Sequence, residues 1–434
     1  MASLEEVFGV SAKPVRSYIE RDDVDNRFRD AVLSDKQIIV YGSSKQGKTA
    51  LVTKYLPYAE NLLVSLTPKF TIADIYHTIL SQAGVRISAA TVEKRGTETT
   101  AGVSAKVKAL IPLFGGGEAT AEGGIKAGSG TGKRFDEIPI NLELPQHVAE
   151  LLSRIGSRKW VILENFHYLD EETQKQFAFD LRAFQELGLR FVILGVWREK
   201  NRMAQFNGDL LDRLIEVPVE PWTESDFRRV ADKGAPELNI RFAPSLVHSA
   251  IAASFSSIGV FQELIKGICI EAGVTHTVEN EQEIDDANFL QRTVASKAND
   301  YAARHQRAME AIAAGHASGG VKGDLPPLYL PYYLVRVLLE SGFDGIANGM
   351  PRTQVHDRIR AIHHRGGDVR GSDMSNLLHG LANLQAVKSI SPPIFAYDSQ
   401  NRLLQVVDST FYFFIKHADV QEILDTIPNP LTGR

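Results

Sequence analysis

The stretch Gln37-Ile-Ile-Val-Tyr41-Gly42-Ser43-Ser44-Lys45-Gln46-Gly47-Lys48-Thr49-Ala50-Leu51-Val52-Thr53 decides how the rest of the chain is read. Its first five residues are apolar and rich in β-branched side chains, the composition of a strand buried on both faces of a parallel sheet. From Lys48 the pattern turns helical. Between strand and helix, Gly42 and Gly47 permit a tight turn and a close approach of main-chain N–H groups to a ligand. Such donors, backed by a helix N-terminus, suit a densely negative group. The spacing G-x-x-x-x-G-K-T in this context predicts a phosphate cradle made of Gly42, Ser43, Ser44, Lys45, Gln46, Gly47, Lys48 and Thr49. Lys48 is expected on the β- and γ-phosphates, and the Thr49 hydroxyl on Mg²⁺. The implied cofactors are ATP, or alternatively GTP, with Mg²⁺. A second glycine run, residues 127–133, looks similar but lacks the first glycine of the spacing. It has Arg134 where a metal-binding hydroxyl belongs and follows no strand, so no phosphate site is expected there.

Working outward, strands are expected near residues 61–65, 160–163, 190–194 and 215–219, and helices at 71–82, 144–155 and 171–187. Strands separated by helices argue for an α/β fold with a parallel, doubly wound sheet. Residues 101–132 are dominated by Gly, Ala, Ser and Thr. They make 85–140 an insertion that reads equally as a small hairpin or a loop. The stretch 223–273 is helical in pattern, without strands, and suggests a lid. Residues 302–325 include a Gly- and Ala-rich tract expected to be a linker. The last hundred residues read as three helices, 330–340, 353–363 and 372–384, followed by a hairpin, the order of a winged helix-turn-helix. The expected domains are therefore a P-loop ATPase domain at 1–232, a helical lid at 233–295, a linker at 296–325 and a winged-helix domain at 326–434.

The second half of a nucleotide site is an acidic residue at the end of a neighbouring strand. Glu164 follows 160–163 and is the expected partner of Thr49 in holding the metal. Asn165 stands next, where many such ATPases carry a water-activating glutamate. An amide cannot act as a base at neutral pH, so hydrolysis should be slow, or use Asp170 or His167. Arg198, at the end of the strand near 190–196, is placed to sense a γ-phosphate. Arg213 is a candidate arginine finger toward a neighbouring subunit.

Composition excludes several classes. Hydrophobic residues make up 44% and charged residues 23% of the chain, values of a globular protein. The net charge of −5 gives no overall attraction to nucleic acid, so any DNA contact has to be a local patch. The single cysteine, Cys269, leaves no internal disulfide and fits a reducing cytoplasm. No signal peptide and no run of about 18 apolar residues is evident, so no membrane insertion is expected.

Taken together, GSSKQGKT (42–49), WVILEN (160–165), the Trp197-Arg198 strand end and LLDRLIEVPVEPWTESDF (210–227) resemble the AAA+ and STAND branch of P-loop ATPases. That branch includes origin-recognition-like ATPases, transposition ATPases and NLR-like switch proteins. The resemblance implies an ATP-dependent conformational switch, often acting through oligomerisation, with a winged helix after the lid. Arg198 resembles the arginine that ends the corresponding strand in NLR-like proteins. Two functions follow as expectations: a signalling or defence switch that engages a protein partner or a second copy, or a DNA-handling ATPase. For the second, Arg352, Arg358, Arg360, Arg365 and Arg370 form the basic cluster, while the third helix carries no Lys or Arg. His363 and His364 sit within that cluster without a second set of metal ligands.

Overall fold

The computed structural model describes residues 1–10, 14–88, 106–112, 135–315 and 325–432, so the glycine run at 127–133 lies outside the described residues. The first half of the chain contains strands β1 (Gln37–Gly42), β2 (Leu62–Ser65), β3 (Arg86–Ser88), β4 (Lys106–Pro112), β5 (Phe135–Asn141), β6 (Val161–Glu164), β7 (Phe191–Val196) and β8 (Leu214–Pro218). Five of them form one parallel sheet in the order β2-β6-β7-β1-β8. Every residue of β1 is buried, as its apolar composition requires of a central strand. Alternate side chains serve opposite faces. Ile39, Leu163 and Ile193 pack against helices Ile72–Gln82, Pro145–Arg154 and Glu171–Glu186. Ile38, Val40, Ile162 and Val192 pack against helices Asp22–Val32 and Lys48–Tyr55. This is the expected α/β doubly wound sheet. Its parallel register sets Gly42 beside Val196, and Glu164 beside Ser65, at one edge.

The insertion, left open between hairpin and loop, contributes β3, β4 and β5, a three-stranded antiparallel sheet. Residues 89–105 and 113–134 lie outside the described residues.

The N-terminal segment forms a short helix Leu4–Phe8 whose Leu4, Val7 and Phe8 are buried in the lid core beside Phe227, Phe242 and Phe261. Two expectations are corrected. The lid, read as free of strands, contains β9 (Ile240–Phe242), which pairs in parallel with β10 (Gln282–Ile284). The linker expected at 296–325 is helical as far as Ala314, as the second half of helix Ala287–Ala314. An alanine-rich tract is a good helix former, and the helix ends at Gly315, whose φ is 60°. The first half of this helix buries Leu290 in the lid core, and the second buries Ala308, Met309 and Ile312 in the C-terminal core.

The C-terminal unit has the winged-helix order: helices Leu330–Ile346, Arg352–Ile362 and Gly371–His379, with β11 (Met350–Pro351), β12 (Phe395–Asp398) and β13 (Leu403–Val406) pairing as β11-β13-β12. The third helix, expected to run to 384, breaks near Gly380 and resumes as Leu381–Val387. Helices Ser409–His417 and Val420–Thr426 follow the wing. Gln385 is fully buried and knits this unit together. Its amide donates to the carbonyls of Leu381 and Phe395, and its carbonyl accepts from the N–H groups of Ile394 and Phe395. A leucine there fits the volume but strands buried main-chain groups, each costing 1–3 kcal/mol by typical measurement. Gln385→Leu is predicted to lower the unfolding free energy by about 3 kcal/mol, read from the urea midpoint by circular dichroism. An unchanged midpoint would contradict this role.

Candidate nucleotide site

β1 delivers the chain to Gly42, and a Cβ at that position would meet Val219 Cγ2 at 2.7 Å, so only glycine passes here. The turn then takes Lys45 (φ 60°) and Gly47 (φ 84°) through left-handed conformations before the helix opens at Lys48. Lys48 folds back beneath the turn and donates from Nζ to the carbonyls of Gly42 (3.0 Å) and Ser43 (2.6 Å). Burial pushes its pKa down to about 8, against the opposing pull of the Glu220 carboxylate. A buried ammonium answered by two neutral carbonyls is a site with capacity for an anion.

Thr49 and Glu164 meet as expected, the hydroxyl donating to Oε1 at 3.1 Å. A second hydroxyl, from Tyr58, donates to the same oxygen at 2.6 Å. Among the described residues no cluster of three or more His, Cys, Asp or Glu side chains could hold a metal by itself. A magnesium ion here would therefore draw on Thr49, Glu164 and oxygens of its nucleotide, a hard-oxygen set that suits it.

Asn165 has φ 61° and ψ 35°, the left-handed region that asparagine tolerates better than glutamate, and it lines the cavity in front of the loop. Neither alternative base is free. Asp170 caps helix Glu171–Glu186, accepting from the N–H of Thr173 (2.8 Å) and its hydroxyl (3.0 Å). His167 accepts the Val196 N–H at Nδ1 (3.3 Å), so its proton sits on Nε2, which is buried with no partner among the described residues. Burial first, then the cations Lys48 and Arg202, press its pKa down to about 3.

Trp197 turns inward, buried against Tyr41, while Arg198 reaches the loop. Its Nε donates to Ser43 Oγ (2.7 Å), and its other nitrogen pairs with Glu220 Oε1 (3.1 Å). Glu220 Oε2 accepts the Ser43 N–H at 2.5 Å. Arg213 is not brought to this site. It sits where β8 begins, its carbonyl accepting the Gln37 N–H at the far end of β1, and its guanidinium pairs with Glu186 (3.4 Å). Six residues of strand, about 20 Å, separate it from the loop of its own chain.

Two other units of the chain hold the turn. Ser44 N–H donates to the Val407 carbonyl of the C-terminal unit (2.8 Å), and the Lys45 carbonyl accepts the Gly259 N–H of the lid (3.0 Å). Gln46 donates to Ser256 O and Ser409 Oγ, both at 3.4 Å. In front of the turn lies a cavity of about 270 Å³ lined by Tyr18, Arg21, Gly47, Thr49, Asn165 and Trp222 among others. The Arg21 guanidinium lies 3.8 Å from the Trp222 ring centroid, and the Trp222 Nε1 is buried with no partner among the described residues. Tyr58, Glu220, Trp222 and Val407 were missed by sequence reasoning. Glu220 and Trp222 had a signal, since they directly follow the last strand, where ligand crevices of parallel sheets open.

The five arginines of the expected basic cluster each have a partner within the C-terminal unit. Arg352 and Arg358 donate to the hydroxyls of Ser375 and Ser341, and Arg360 to the Gly366 carbonyl. Arg365 and Arg370 pair with Asp368 and Asp373. His363 and His364 are packing residues, bonded to the Leu328 carbonyl and the Tyr333 hydroxyl. Among the described residues no helix is long and apolar enough to cross a membrane.

No protein-family model and no curated protein matches the chain. Solved structures resemble it at low identity. A Walker-type ATPase of Pyrococcus abyssi is 11% identical, with 96% of this chain and 99% of that chain covered and a TM-score of 0.48. The ORC1 protein of Aeropyrum pernix in complex with DNA is 13% identical, with 98% and 96% covered and a TM-score of 0.41. Cdc6p from Pyrobaculum aerophilum is 9% identical, with 92% of each chain covered and a TM-score of 0.34. The strand order and the loop described above carry the fold, and these resemblances add no ligand or partner to it.

Proposed function

We propose that the chain is an ATP-binding, slowly hydrolysing switch of the AAA+/STAND type that couples its nucleotide state to a protein partner or to self-assembly. One observation carries this reading: the loop that cradles Lys48 is hydrogen-bonded, at three successive residues, to the C-terminal unit and the lid. A group that displaces the loop has to act on both. In this reading Lys48 and the loop N–H groups hold the phosphates, and Arg21 and Trp222 line the space for the nucleoside. Mg²⁺, held by Thr49 and Glu164, supplies neutralisation of the phosphate charge. Arg198 leaves Glu220 for a γ-phosphate when one is present. Asn165 supplies no base, so turnover is slow. The lone, buried Cys269 is compatible with a reducing cytoplasm, and a defence or signalling role is the corresponding biological setting.

The direct test is Lys48→Ala, expected to weaken ATP binding at least about 100-fold by calorimetry, since it removes a charge-assisted contact from a desolvated site. Equal affinity of variant and wild type would sink the assignment. A second test uses the lysine's own titration. The ammonium form binds phosphate, and with a pKa near 8 in the free protein it falls to half as pH rises to 8 and is close to complete a unit or more below. Bound phosphate raises that pKa, so affinity should fall about tenfold per pH unit as pH rises above 8, with proton uptake on binding. Affinity independent of pH between 7 and 9.5 would argue against Lys48 as the phosphate ligand.

A DNA-handling ATPase is the second reading. It is favoured by the bonding of Arg352, Arg358 and Arg360 to neutral oxygens, which leaves their charge available to a phosphate backbone. It predicts DNA-stimulated phosphate release that the paired change Arg358→Ala with Arg360→Ala removes. Turnover indifferent to DNA would favour the protein-coupled switch.

A further inference from the structure

We propose that Tyr58 is a positioning residue for Glu164, and that its hydroxyl is what lets a glutamate do the metal-holding work of the shorter aspartate. The inference rests on the nucleotide reading above and deepens it. An aspartate at the end of a parallel strand sets its carboxylate one methylene from the backbone. Glutamate adds a torsion and carries the carboxylate farther out, so more side-chain freedom has to be removed before the oxygens face a defined point. The last residue of β6 is Glu164, pinned by its register with Ser65. Beyond the backbone, the carboxylate is held through Oε1 by two hydroxyls, those of Thr49 and Tyr58. Among the described residues no hydrogen bond reaches Oε2, which stays available for a metal-bound water.

The two hydroxyls come from the two ends of one segment. Thr49 is in the first turn of helix Lys48–Tyr55, and Tyr58 opens the 3₁₀ turn Tyr58–Glu60 just beyond it. The helix that begins the phosphate cradle is thereby fastened to the carboxylate at both ends. The phenol acts as a donor throughout, because burial and then the adjacent carboxylate raise its pKa. Its bond of 2.6 Å has the length of an O–H donor to a charged acceptor, whereas the Thr49 bond at 3.1 Å is longer and frees that hydroxyl for metal ligation.

Tyr58→Phe in the full chain deletes one hydroxyl and keeps the ring. A fluorescent ATP analogue is titrated into wild type and variant with Mg²⁺ and with EDTA, and Mn²⁺ affinity of the nucleotide complex is followed by electron paramagnetic resonance. The expected result is nucleotide affinity in EDTA unchanged within about twofold, with metal-dependent affinity and Mn²⁺ binding weakened roughly five- to tenfold, the loss of one charge-assisted hydrogen bond. In a Glu164→Asp background the same change should cost nothing further, because the shorter side chain does not reach the phenol. Equal losses with and without metal would show a merely structural role and overturn the proposal, as would an unaltered metal dependence. Wild type that binds no nucleotide in either condition would instead remove the nucleotide reading, and the role of Tyr58 with it.

Discussion

The turn from Gly42 to Thr49 has to satisfy its main-chain polar groups while remaining open to a ligand, and the rest of the structure is arranged around that constraint. Buried N–H and C=O groups require partners. In this turn Lys48 answers two carbonyls, Glu220 answers the Ser43 N–H, Val407 answers the Ser44 N–H, and the lid answers the Lys45 carbonyl. Apart from Lys48, these partners come from residues about 180 to 360 positions away in the chain. The loop is not a local motif that happens to sit between a strand and a helix. It is the point at which the sheet, the lid and the C-terminal unit share hydrogen bonds.

Glu220 gives that point its electrostatic character. Its carboxylate stands at the phosphate loop, bonded at once to the Ser43 N–H and to Arg198. Arg198 in turn holds the Ser43 hydroxyl. A carboxylate, a guanidinium and a buried ammonium share one cluster, and the Lys48 pKa near 8 records burial of the ammonium that the Glu220 carboxylate only partly offsets. The cluster gives the arginine at the strand end a reason: a neutral side chain at 198 would leave the Glu220 carboxylate without its ion-pair partner.

Much of this was legible in the sequence, for a physical reason. The central strands β1, β6 and β7 are buried on both faces, so their composition is nearly continuous in apolar residues, and expected and observed strand positions differ by one or two residues. The helix expected at 71–82 begins with a side-chain cap, the Thr71 hydroxyl accepting the Asp74 N–H. Gly42 to Thr49, Glu164, Asn165 and Arg198 converge because parallel strands end at one edge. What stayed illegible depends on distance. The Leu4–Phe8 helix is too short to show a period, and its burial is decided by the lid. Residues 296–314 read as linker because glycine follows them closely, although alanine favours the helix they adopt. Tyr58 and Val407 belong to the site through contacts that no spacing along the chain encodes.

The long helix Ala287–Ala314 settles what can move with what. Its first half is packed into the lid core and its second into the C-terminal core. Arg304 pairs with the buried Asp408, and His305 bonds the Thr410 hydroxyl. Phe413 of the C-terminal unit is itself part of the lid core. A rigid rod shared by two cores resists their independent motion, since sliding either core along it would open cavities that cost several kcal/mol each by the usual measure of about 2–5 for a large buried side chain. The lid and the C-terminal unit thus meet the phosphate loop as one body, through Gly259, Ser256, Val407 and Ser409. A displacement of a single loop residue is opposed by that whole body, and this is the mechanical condition under which a small ligand at Lys48 would act on residues such as Val407 and Ser409, far away in the chain.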